Sequence, residues 1–184
     1  MLRLFLTGIA ACMFAGTASA QSMIVIGSSP AAQCYENAVW RRAYSSALNS
    51  CDSALASSDL TARDRQRTWV NRAVINLHLE RPADALYDLE QAVVAGYDAP
   101  EIDMNRSAAL IRLGRFEEAV DAASRALEAG LSDAEKAYFN RAVAYERMGR
   151  IADAYDDFRA AAAEAPHWRQ PREQLERFRV ASGS

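Results

Sequence analysis

Lysine is almost missing from this chain of 184 residues: of its 21 basic side chains, only Lys136 is not arginine. The arginines alternate with acids instead of forming a block, and the formal net charge is −3. That balance removes the electrostatic case for nucleic acid or an anionic membrane surface as partner. Glycine (8) and proline (5) are scarce and β-branched runs are few, which speaks against a sandwich, a collagen-like chain or a disordered tail. The two histidines, His78 and His167, lack the spacing of metal ligands. No G-x-S-x-G elbow, G-x-G-x-x-G turn or P-loop occurs. The adjacent acids Glu117-Glu118 and Asp156-Asp157 point about 100° apart on a helix, as a solvated face does. No catalytic residue, metal site or cofactor is expected.

Alanine is abundant, at 38 residues. It is the best helix former and buries little apolar surface, so an all-α chain is the default. Met1–Ala20 carries one charge, Arg3, then an apolar stretch Leu4–Ala15, then Ala18-Ser19-Ala20. This is the pattern of a secretory signal cleaved between Ala20 and Gln21. The apolar stretch falls short of the roughly 20 residues that span a bilayer, so no stable membrane insertion is expected after cleavage. A lipoprotein signal ending at Cys12 is the weaker alternative, because more apolar sequence follows that residue. The expected location is the periplasm or the medium beyond it.

Cleavage leaves one pair of cysteines, Cys34 and Cys51. In an oxidising compartment a disulfide is the natural reading, with two buried thiols that never meet as the alternative. A bond would close a loop of 17 residues, worth about 3 kcal/mol by chain entropy.

A repeat organises the rest. Asn71-Arg72-Ala73, Asn105-Arg106-Ser107 and Asn140-Arg141-Ala142 recur at spacings of 34 and 35 residues. Downstream of each come Ala85, Ala119 and Ala154, and then Ala92, Ala126 and Ala161. Turn signals lie between the halves at Arg81-Pro82, Leu113-Gly114-Arg115 and Met148-Gly149-Arg150. Each unit is thus a helical hairpin whose small residues let two helices approach closely. Tyr138, Tyr145, Met148, Ile151 and Phe158 are expected to fill the space between hairpins. One hairpin cannot bury both its apolar faces, whereas stacked neighbours can. The arginine shared by the units (Arg72, Arg106, Arg141) would pair with Asp88, Asp121 and Asp156 on the second helices, or else line a groove.

The pattern resembles the tetratricopeptide repeat family. The third unit carries Tyr138, Ala142, Tyr145, Met148-Gly149, Ala154, Phe158, Ala161 and Pro166. The second keeps Leu110, Gly114, Ala119 and Ala126, but has Asp103 for an aromatic and Ala123 for a bulky residue. The first keeps Trp69, Ala73, Ala85, Leu89 and Ala92, but has Asn76 for the second aromatic and Glu80 for glycine. The resemblance implies a superhelix of antiparallel hairpins. It divides the chain into the signal (1–20), an extended segment (21–33), a degenerate hairpin and linker (34–65), three repeats (66–99, 100–134, 135–166) and a capping helix with its tail (167–184).

By position, the family's inner surface of first helices would bind a peptide or partner protein through Val70, Asn71, Val74 and His78. It would continue through Met104, Asn105, Ala108 and Arg112, and then through Lys136, Phe139, Asn140, Val143 and Arg147. That mixed surface suits an acidic or amphipathic peptide. The family subtype that clamps a terminal carboxylate has lysine and asparagine where Val70 and Val74 stand, so the resemblance does not extend to it. The expected protein is a monomeric, non-catalytic interaction module. A small-ligand carrier or an enzyme using the groove as a pocket is the alternative, and a structural spacer is the third reading.

Overall fold

The computed structural model of the chain describes residues 29–42 and 44–181. The signal-like segment, the Ala20–Gln21 junction and residues 21–28 lie outside the described residues. Every regular element among the described residues is helical: α1 (Pro30–Val39), α2 (Ser46–Ala56), α3 (Ala62–His78), α4 (Pro82–Val94), α5 (Pro100–Arg112), α6 (Phe116–Glu128), α7 (Ala134–Arg147), α8 (Ile151–Glu164) and α9 (Arg169–Ala181). Odd and even helices pair as four hairpins, each packed on the next, and α9 closes the series on α8. No described helix is long and apolar enough to cross a membrane.

Local chemistry sets the helix starts. Ser29 accepts a hydrogen bond from the Ala32 amide, and Pro30 follows at the first helical position, where its missing N–H costs nothing. The first hairpin therefore begins at residue 30, and the extended segment expected through Gln33 ends sooner. Thr61 caps α3 in the same way, through the Asp64 amide.

The turns give the hairpins a common register. One backbone bond closes each: the amides of Arg42, Arg81, Arg115 and Arg150 donate to the carbonyls of Asn37, Asn76, Leu110 and Tyr145. The residue before each arginine is left-handed. It is Gly114 (φ 73°) and Gly149 (φ 76°) in two turns, but Arg41 (φ 50°) and Glu80 (φ 55°) in the others. Counting back from the four arginines, Cys34 falls in the column of Ala73, Ser107 and Ala142. The first turn is one residue longer on its far side, so Ala47 aligns with Ala85, Ala119 and Ala154. Cys51 then aligns with Leu89, Ala123 and Phe158. Cys34 and Cys51 are bonded, with their Cα atoms 4.8 Å apart and neither side chain exposed. The first hairpin thus carries a covalent link where its neighbours place a packed side chain against a small one.

All nine small residues of the three repeats, from Ala73 to Ala161, are 0% exposed. Between them Leu89, Phe158, Ile75, Ile102 and Leu110 supply the buried bulk. Phe158 fills its expected place, but Ile151 starts α8 and is 50% exposed. The departures in the first two repeats have local causes. Asn76 is buried because its amide donates to the buried carboxylate of Asp88 at 2.9 Å. Asp103 stands in for an aromatic because Arg106 and Arg125 both bind it. At the far end, Phe178 of α9 packs on Phe158 and Tyr155, and Arg177 donates to Glu146 at 2.7 Å.

Because Ala154 is fully buried between helices while Ala152 is exposed, Ala154→Leu is expected to cost about 1–3 kcal/mol by overpacking. Ala152→Leu should stay within about 0.5 kcal/mol. Urea denaturation of both variants checks the difference.

Candidate functional site

The odd-numbered helices α1, α3, α5 and α7 lie side by side and form one face of the array. The turn register sorts the residues expected on that face into columns. Val70, Met104 and Phe139 share a column with Ala31; Asn71, Asn105 and Asn140 with Ala32; Val74, Ala108 and Val143 with Tyr35; His78, Arg112 and Arg147 with Val39. Lys136 has Arg67 and Glu101 as its counterparts.

Much of this set is occupied by the fold itself. Val70 and Ala108 pack on the cluster of Ala73, Leu77 and Ala109, and Val74 packs on Cys34 and Cys51. Met104 packs on Ala126, Leu131 and Ala137, and Val143 on Ala142 and Phe158. The Phe139 ring is held between Phe158 (centroids 5.4 Å apart) and Trp168 (4.8 Å), so it anchors the cap. Asn140 donates to Ser107 Oγ at 2.9 Å and to the Met104 carbonyl at 3.3 Å, tying α7 to α5. Asn105 is buried. Lys136 pairs with Asp133 beside it, and the Arg147 guanidinium lies 4.9 Å from the Phe116 ring centre. Asn71, His78 and Arg112 remain half-buried or exposed at the face.

The open part of the face lies further toward the N-terminus than the sequence suggested. A cleft of about 610 Å³ is walled by Ala31, Ala32 and Tyr35 on α1 and by Arg67, Val70 and Asn71 on α3, with Tyr97 from the α4–α5 connection. That volume falls in the range of ligand-sized clefts. Tyr35 is 57% exposed. The Arg67 guanidinium is exposed and makes no ion pair among the described residues, and the Asn71 amide makes no hydrogen bond there. One free cation and one free amide therefore line the cleft with two tyrosines, and the Asp64 carboxylate on the same wall accepts a hydrogen bond from the Thr61 hydroxyl at 2.8 Å. Tyr35 and Tyr97 lie outside the first helices of the three repeats, on which the sequence reading places the binding surface. Arg67 was missed although counting back from the turns puts it in the column of Lys136.

The repeated arginines are structural. Arg72 grips Asp88 through Nε and Nη2, the latter at 2.6 Å, and also binds Asp52 at 2.6 Å. Its guanidinium lies 4.6 Å from the Trp69 ring centre. Arg141 binds Asp157 through Nε at 2.7 Å and Nη2 at 2.9 Å, and reaches Ser124 Oγ. Both partners lie 16 residues downstream. In the second repeat that position is Ala122, so Arg106 turns back to Asp103. The expected partner Asp88 is correct, while Asp121 and Asp156 are each one residue short of the position that faces the arginine. Asp157 is correspondingly buried and does not share the solvated face expected for the Asp156-Asp157 pair. Burial pushes the Asp88 carboxyl above its usual value, while hydrogen bonds from Arg72 and Asn76 pull it down. Burial also raises Asp103, but Arg125 and Arg106 outweigh it and hold that carboxyl below its usual value.

No group of three or more His, Cys, Asp or Glu side chains able to hold a metal ion occurs among the described residues. With the buried Asp88 carboxylate removed, Arg72 keeps only the half-exposed Asp52 as an ion-pair partner, and Asp88→Ala is expected to cost about 3 kcal/mol. Asp103→Ala, nearer the surface, should cost about 1 kcal/mol or less. Chemical denaturation separates the two.

Known proteins match this architecture. Residues 135–168 fit the sequence profile of the tetratricopeptide repeat. The solved tetratricopeptide repeat domain of Arabidopsis OM64 superimposes with a TM-score of 0.60 at 21% identity, covering 65% of this chain and 98% of that one. The crystal structure of MamA superimposes with a TM-score of 0.61 at 18% identity, covering 74% and 77% of the two chains. A curated protein of Gibberella zeae, named a methyltransferase, is 26% identical over 102 residues, which is 54% of this chain but 14% of that protein. With one repeat matched in sequence and the helical array matched in three dimensions, the chain has the fold of tetratricopeptide repeat domains and resembles that family.

Proposed function

We propose that this chain is an exported, monomeric, non-catalytic module that binds a peptide or partner protein on the face formed by α1, α3, α5 and α7. The observation that carries this reading is the cleft between α1 and α3, which Arg67 and Asn71, both free, line with Tyr35 and Tyr97. Such a seat suits an extended segment that offers an acidic group together with an apolar or aromatic one. Tyrosines contribute contact area at little conformational cost, and a free guanidinium contributes orientation. Protein binding is also what the repeat fold commonly serves, an argument from architecture and weaker than one from the site.

The signal-like pattern of Met1–Ala20 supports export to the periplasm or beyond. The buried Cys34–Cys51 bond fits an oxidising compartment. Lipid attachment at Cys12 is disfavoured by the apolar residues that follow it.

The test is affinity capture from the native envelope fraction with wild-type protein, a Tyr35→Ala plus Arg67→Glu variant, and Arg159→Glu on the opposite side of the array. The first variant should lose its captured partner by about tenfold, as two removed contacts of roughly 0.7 kcal/mol each imply, while Arg159→Glu keeps it. An unchanged partner list in all three sinks the groove. The Phe139 position is unsuited to this test, because its ring holds the cap in place.

A further inference from the structure

Three turns converge at one rim of the groove, about 10 Å along α3 from Asn71 at 1.5 Å per residue. His78 ends α3, Arg112 ends α5 and Arg41 follows α1. Arg112 Nε lies 3.4 Å from Glu80 Oε2, and the Glu80 side chain is 74% exposed. The Arg41 side chain has no partner among the described residues. Burial, then the charges of Arg41 and Arg112, depress the His78 imidazole below its ordinary pKa, with Glu80 acting in the opposite sense. Arg41 and Glu80 also keep left-handed backbones where the turns after α5 and α7 use glycine. A side chain is tolerated in that conformation only at some cost.

The rim thus sets two guanidiniums and one carboxylate close enough to the His78 imidazole to act on it. That carboxylate is mostly in water and meets Arg112 at a single long contact. An incoming carboxylate can replace Glu80 in a like-for-like exchange, since Glu80 swings into solvent that already surrounds it.

We propose that Arg41, His78 and Arg112 form a subsite for a carboxylate side chain of the bound partner, one that tightens in acid as His78 takes up a proton. The inference rests on the groove being the binding face. Without ligand, a proton on His78 adds a third positive charge and is opposed. With a carboxylate present it is favoured, so binding takes up a proton and affinity rises as pH falls from neutrality toward the depressed value of His78. At about 10 Å, the acidic residue lies some three extended residues from the part of the partner seated in the cleft.

The probe is acetyl-hexaglutamate amide, titrated into the chain while the ring protons of His78 are followed by NMR, with His167 as the internal reference. The His78 signals should shift saturably, and binding should be about threefold tighter near pH 5.5 than near pH 7.5. Glu80→Gln should tighten binding at both values, and Arg112→Gln should weaken it. His78→Gln should keep the binding seen near pH 7.5 and lose the pH dependence. An unmoved His78 signal, or Glu80→Gln binding no tighter than wild type, overturns the subsite. If Tyr35→Ala plus Arg67→Glu abolishes capture of the native partner while Arg41→Gln and Arg112→Gln do not, the groove stands and the subsite falls.

Discussion

Helix-to-helix contact at residues too small to hold the backbones apart is the constraint on which this structure depends. Ala73, Ser107 and Ala142 on first helices, with their counterparts on second helices, are fully buried. Each is a place where a larger side chain would force two backbones away from each other. Because those contacts recur in register, every hairpin presents its neighbour with the same surface, and the odd-numbered helices end up side by side on one face. The first hairpin meets the constraint differently. Cys34 takes the small-residue place and Cys51 the bulky one, and a covalent bond joins them. That bond holds α1, a helix of ten residues whose exposed Tyr35 helps to wall the cleft. Stability at the end of the array is in this way linked to the shape of the cleft between α1 and α3.

Charge plays a second, more local part. Arg72 and Arg141 each reach across a hairpin to an acid 16 residues downstream, and the acids are buried under them. A buried carboxylate tolerates that environment only with close partners, and Asp88 has Arg72 and Asn76. The second repeat has Ala122 at the facing position, and its arginine shares Asp103 with Arg125 instead. One sequence position therefore serves two packing solutions in the same chain. Consumed by these contacts, the arginine column is withdrawn from the groove, while Arg67, which makes no ion pair among the described residues, stands exposed at the cleft.

The periodicity of small residues and the turn signals made the hairpins, their order and their tight contacts legible in the sequence, because those features depend on spacing along a helix. The pairing of Arg72 with Asp88 could be read in the same way. What escaped were features that turn on a single residue of register or on which neighbour covers a side chain. Asp156 and Asp157 differ by one position, yet only the second faces Arg141. Phe139 sits at a groove position by spacing, but Trp168, far along the chain, folds over it. Tyr35 falls in the degenerate hairpin, which the sequence reading leaves out of the binding face, and the helix start at Ser29-Pro30 lies inside what reads as an extended segment through Gln33. The turn arginines at 42, 81, 115 and 150 carried the missing register, since counting back from them places α1 among the first helices.

In the proposed function the partner sits against α1 and α3 on the inner face and leaves the outer helices in solvent. Hydroxyl-radical footprinting of the protein, alone and with its captured partner, tests this directly. Tyr35 and Tyr97 report on the cleft, while Tyr87 and Val94 on α4, exposed by 54% and 77%, report on the outside. The account predicts that oxidation of Tyr35 and Tyr97 falls on binding while that of Tyr87 and Val94 is unchanged. Protection of Tyr87 and Val94 with Tyr35 and Tyr97 still oxidised would contradict it.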